Sequence, residues 1–127
     1  MYAPWGSPQG QTRSLRLATI SGPFPDAVAV ILEGLITSCR ADGSLHLAAM
    51  GPEVPDSREF DRLILKPFAG SRPAELLAAT PEGVFHLTDD PLLLARAVTG
   101  SLAEPPAARL ADQVRGWVLE EACEAFE

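Results

Sequence analysis

From residue 27 onward, runs of apolar and β-branched residues alternate with short polar breaks, and that spacing predicts small strands joined by hairpins. AVAVILEGLITS (residues 27–38) reads as one strand and LHLAAMG (45–51) as its partner. Between them ADGS (41–44) supplies the turn, because Asp-Gly accepts the positive φ that a tight hairpin needs. FDRLILK (60–66) alternates well enough for a third strand, and Pro67, which has no N–H to give a ladder, ends it. GVFHLT (83–88) predicts a fourth.

Two segments follow the helical period instead. SRPAELLAA (71–79) predicts a short helix with Ser71 as N-cap, Pro73 in the first turn, and Leu76, Leu77 and Ala79 turned inward. Pro81 cannot continue it. In DDPLLLARAVTG (89–100), Asp90 is placed as N-cap, Pro91 at the first helical position and Gly100 just past the end. The acidic residues before this helix suit its dipole. The tail LADQVRGWVLEEACEAFE (110–127) is ambiguous: Leu110, Val114, Val118 and Ala122 fit a helical stripe, while RGWVLE could begin a strand.

Residues 1–27 are rich in Pro, Gly, Ser and Gln, show no sustained period, and predict a loose extension with a short strand at 14–20. Residues 28–127 form the folded domain in this partition. The order β-β-β-α-β-α with hairpin connections predicts a mainly β, α+β fold: a small antiparallel barrel or sheet with helices at its edge.

Length limits the chain to one core: 127 residues are too few for two ordinary domains. No stretch approaches the ~20 consecutive apolar residues of a membrane helix. The N-terminus lacks the ordered basic, apolar and small-residue regions of a secretory signal, so a cytoplasmic location is expected. A net charge of −7 and Lys and Arg scattered singly argue against nucleic acid as a partner. Cys39 and Cys123 are expected to be reduced thiols, and His46 and His86 to be hydrogen-bonded interior imidazoles rather than metal ligands.

An acidic chain that binds an anion must do so through a local feature. No Walker loop, no GxGxxG and no GxSxG elbow occurs, which removes the standard glycine-rich phosphate cradles and the nucleophile elbow. What remains is the corner Gly70, Ser71 and Arg72, where a predicted strand meets a predicted helix. Helix-start amides, a Ser hydroxyl and an Arg fork together can hold a phosphate, although Ser71 as a simple cap and Arg72 as a solvated surface residue account for the same letters.

At this point the motifs resemble a known family. EGLIT, the AAMGP segment, the PFAGSR corner and the HLTDD strand, in that order, are similar to DUF447, a group of flavin-reductase-like proteins whose fold is the FMN-binding split barrel. The likeness runs through roughly residues 28–126. It implies FMN held across a homodimer interface, with Gly70, Ser71 and Arg72 at the phosphate. Main chain at Ala48, Ala49, Met50 and Gly51 would lie against the isoalloxazine, with Thr37 and His46 among the cofactor contacts. The chemistry implied is the flavin's own hydride or electron transfer.

The chain departs from the family pattern at His46, Ala49, Pro73 and His86, and its barrel is expected to lack its last strands. Those departures define an alternative, a non-catalytic split barrel that has lost its cofactor and serves as an assembly partner. A pterin or a deazaflavin in place of FMN is a third option on the same fold.

Overall fold

The computed structural model of the chain describes residues 12–13, 30–55 and 61–127. Strands β3 (Gly34–Cys39) and β4 (Leu45–Met50) form the predicted hairpin in full register, from Gly34 opposite Met50 to Cys39 opposite Leu45. The turn between them closes through Arg40 N–H to Ser44 O at 2.9 Å, with Gly43 at φ +85°. Asp42 accepts both the amide and the hydroxyl of Ser44, at 2.9 and 2.6 Å, which lowers its carboxyl below the usual range.

β3 is the spine of the main sheet. On its other side it pairs antiparallel with β6 (Val84–Leu87), β6 pairs with β9 (Glu124–Phe126), and β1 (Thr12–Arg13) adds to β9 in parallel. The order is therefore β1-β9-β6-β3-β4, with β4 at one edge. Two small ribbons accompany it: β2 (Val30–Ile31) with β5 (Glu53–Val54), and β7 (Ala108–Leu110) with β8 (Trp117–Leu119).

Helices α1 (Arg72–Ala79) and α2 (Pro91–Thr99) start where their caps predict. Asp90 accepts from the amides of Leu92 and Leu93 at 2.9 and 3.1 Å, and Gly100 ends α2 in the left-handed region at φ 68°.

Apolar residues line both faces of the sheet. On one face Ile36, Phe85 and Phe126 gather with Val54 and Leu63, the two Phe rings lying 6.2 Å apart. On the other, Val84 and Ala125 pack under Val118 of β8. Period-2 alternation in β6 and β9 is what sends neighbouring residues to opposite clusters.

Two expectations change, the ambiguity of the tail is resolved, and the sheet is open. The run 27–38 breaks at Leu32 and Glu33: β2 leaves for a separate ribbon, and Leu32 N–H bonds Pro52 O at 3.0 Å. FDRLILK contributes a single bridge, Ile64 to Glu53, rather than a strand. Of the two readings of the tail the strand holds, RGWVLE supplying β8; carboxylates of Glu82 and Glu127 collect the amides of Asp112, Gln113 and Arg115 in the loop before it, where Gly116 also disfavours a helix. The sheet does not close into a barrel among the described residues. The strand expected at 14–20 lies outside them.

Gly34 is fixed by packing. A Cβ there would stand 2.2 Å from the His86 carbonyl oxygen and 2.5 Å from the Phe85 ring. Gly34→Ala is expected to lower stability by ~2–4 kcal/mol in urea unfolding, through overpacking at the centre of the sheet; a change under ~0.5 kcal/mol would contradict this placement.

Candidate functional site

The corner before α1 is built as the sequence predicts, with its groups in particular employment. Gly70 has φ +78°, and Ser71 Oγ accepts from Ala74 N at 3.3 Å as N-cap. The Ser71 amide donates to Phe68 O at 3.0 Å, and Glu75 N to Ser71 O at 3.1 Å. Arg72 Nη1 donates to Glu75 Oε2 at 3.0 Å, on a side chain 56% exposed. Pro73 has no N–H. The amides of Gly70 and Arg72 meet no protein acceptor among the described residues. An anion arriving here would find those two amides and a guanidinium whose surface ion pair holds it by ~1 kcal/mol or less.

The second group of candidate residues lies along β4. Ala48 and Met50 turn their side chains to the Ile36 cluster, so Ala49 points to the opposite face. Gly51 follows the strand and is exposed; a Cβ there would sit 3.2 Å from Leu32 O. Because β4 ends the sheet, its outer main chain has no strand partner among the described residues.

His46 stands directly across from Ser38 in the β3–β4 register. Ser38 Oγ and His46 Nδ1 are both buried without a hydrogen-bond partner. Such groups are uncommon in folded proteins, and each costs stability unless something satisfies it. Burial lowers the pKa of His46, and the charges of Arg40 and then Arg72 push it further the same way, so the ring is held neutral.

Thr37 takes a different position. It is fully buried, and its hydroxyl faces Trp117 O at 2.5 Å and Val84 O at 3.4 Å, so its hydrogen-bonding capacity is turned to the protein. His86 is its counterpart on β6. Leu119 N–H donates to His86 Nε2 at 3.0 Å, which leaves the ring proton on Nδ1, 3.4 Å from Leu35 O. The expected hydrogen-bonded interior imidazole is found here, whereas His46 lacks a partner for Nδ1.

The roles of Thr37 and His86 at β8 escaped the sequence, since the partners lie 80 and 33 residues away. A buried polar residue within an apolar strand was the available signal. Cys39 and Cys123 are both free thiols. Among the described residues no helix is long and apolar enough to cross a membrane.

These features define a small α+β domain: an open, mainly antiparallel sheet, two short capped helices, and polar groups gathered along one edge strand. The chain belongs to the family described as protein of unknown function (DUF447), N-terminal domain, whose model matches residues 32–127. No curated protein matches it.

Burial lowers the pKa of His86 from 6.5 to about 4, against the raising effect of its backbone hydrogen bonds. The fold therefore favours the neutral ring: this contribution is complete above about pH 6.5 and is lost as pH falls toward about 4. Over that window the wild type is expected to lose ~3 kcal/mol more stability than His86→Gln, whose side chain does not titrate. Denaturant titrations at several pH values measure this, and parallel curves for the two proteins would contradict it.

Proposed function

We propose that the chain is an FMN-binding flavoprotein of the flavin-reductase-like class, cytoplasmic and homodimeric, on a split-barrel fold. The supporting observation is the pair of buried, unpartnered polar atoms on the β3–β4 hairpin, Ser38 Oγ and His46 Nδ1, on the strand whose main chain the family resemblance places against the flavin ring. The residues fit such a cofactor in two respects. The corner offers the Gly70 and Arg72 amides with the Arg72 guanidinium to a phosphate, and His46 Nδ1 and Ser38 Oγ are buried polar atoms in want of partners.

In this arrangement Gly70, Ser71 and Arg72 would hold the phosphate, and the main chain from Ala48 to Gly51 would orient the ring. A bound flavin supplies hydride or electron transfer. The protein's part is to position the ring, keep His46 neutral as a donor or acceptor, and exchange the Glu75 partner of Arg72 for the incoming anion. Exposed Ile31 and Phe68 offer apolar surface to a second copy.

One observation favours the alternative of a cofactor-free assembly partner: Ser71 is already spent on its own helix cap and Arg72 on Glu75. Equilibrium binding of FMN separates the two. Under the flavoprotein reading the purified protein shows flavin absorbance or takes up added FMN, and Arg72→Ala weakens binding by about 10- to 100-fold, the worth of a charged hydrogen bond. Protein that takes up no FMN, or binds it equally well without Arg72, favours the alternative. Riboflavin, a pterin and a deazaflavin in the same titration identify the ring preferred.

A further inference from the structure

A cleft of about 420 Å³ lies along the start of β4, between that strand and the C-terminal end of α2 with the loop after it. Its volume falls within the range of small-molecule sites. None of residues 70–72 lines it, so it is distinct from the corner described above.

Two arginines, Arg40 and Arg96, line this cleft, and no carboxylate does. Three other described cations are paired, Lys66 with Glu53, Arg72 with Glu75 and Arg109 with Asp112, while Arg62 and Arg115 have no carboxylate partner among the described residues; what sets Arg40 and Arg96 apart is that they share one concavity. Arg40 and Arg96 have no carboxylate partner among the described residues. In a chain of net charge −7, two unpaired guanidinium groups on one concavity are a local reversal of the field.

Arg40 is also held in place, since its Nη1 donates to Leu45 O and lies 3.5 Å from Ser44 Oγ. A fixed guanidinium loses less freedom when it takes a ligand. The nearest acid of the turn, Asp42, is outside the lining and is occupied by Ser44. The carbonyl of Arg96 at the negative end of α2 is covered by Gly100 N, Ser101 N and Thr99 Oγ1. His46, whose Nδ1 is buried and unpartnered, lines the cleft too, and Leu47 and Leu102 add apolar surface.

We propose that this cleft binds a small organic anion, its carboxylate or phosphate head between Arg40 and Arg96 and its apolar body against Leu47 and Leu102. The cleft shares His46 with the flavin reading but none of residues 70–72, and the proposal rests on Arg40 and Arg96, so it stands whether or not that reading holds.

Titration of the full chain with hexanoate, hexyl phosphate and neutral hexanol, followed by amide chemical shifts, tests it. At least one of the two anions is expected to bind about 10-fold or more tighter than hexanol, with shifts at Ser44, Ala97 and Gly100, and the stronger of them identifies the head group. Arg96 is exposed, so Arg96→Gln is expected to fold normally and to weaken that binding by about 10- to 100-fold, while Arg72→Ala leaves it unchanged. Anions that bind no better than hexanol, or binding indifferent to Arg96→Gln, would overturn the proposal, as would binding lost with Arg72→Ala. If Arg96→Gln proves unstable, Arg96→Lys together with the bulkier Ala97→Leu on the same α2 wall of the cleft serves the same comparison, and unchanged affinity in both overturns the assignment.

Discussion

A strand with one partner has a bare edge, and in β8 that edge faces the interior of the protein. Gly116 and Glu120 bond toward β7, so the backbone of Trp117 and Leu119 points the other way. Among the described residues no strand pairs with it there. Two side chains of the main sheet take that place: Thr37 gives its hydroxyl proton to Trp117 O, and the neutral ring of His86 accepts from Leu119 N–H. Buried N–H and C=O groups must be paired, and these two bonds allow the β7–β8 ribbon to lie on the sheet without joining it. The indole of Trp117 extends the same attachment to the hairpin turn, donating to Gly43 O at 3.1 Å.

The consequence reaches the functional surface. β8 covers one face of β3 and β6, and on the other face Ile36, Phe85 and Phe126 pack with Val54 and Leu63 and leave only a small apolar cavity of about 60 Å³. What stays available is the free edge, β4, together with the helix ends beside it. The polar groups that the fold leaves without partners are found there: Ser38 Oγ and His46 Nδ1, with Arg40 and Arg96 nearby.

Local chemistry was legible in the sequence and long-range pairing was not. The caps Ser71, Asp90 and Gly100 and the Asp-Gly turn announced α1, α2 and the β3–β4 hairpin, because each depends on a few adjacent residues. Leu32 and Glu33 gave no sign of the break between β2 and β3, since β2 leaves to pair with β5, and Ile64 makes a single bridge, to Glu53 of that same ribbon. The tail illustrates the same division. Its apolar spacing fits a helix, yet β9 lies between β1 and β6, where Phe126 meets Phe85, a contact that no local pattern encodes. At the candidate site the sequence singled out Arg72 and His46. It could not foresee that Glu75 already holds the first, or that the second sits opposite a buried Ser38 with no partner.

The dependence of the ribbon on one uncharged imidazole is open to direct observation by nitrogen NMR of the His86 ring. At about pH 6 the spectrum should show a neutral ring with the proton on Nδ1 and a bare, hydrogen-bonded Nε2, and the Leu119 amide should exchange only as slowly as the whole domain unfolds. A ring protonated on Nε2 at that pH, or a Leu119 amide that exchanges freely, would contradict the account.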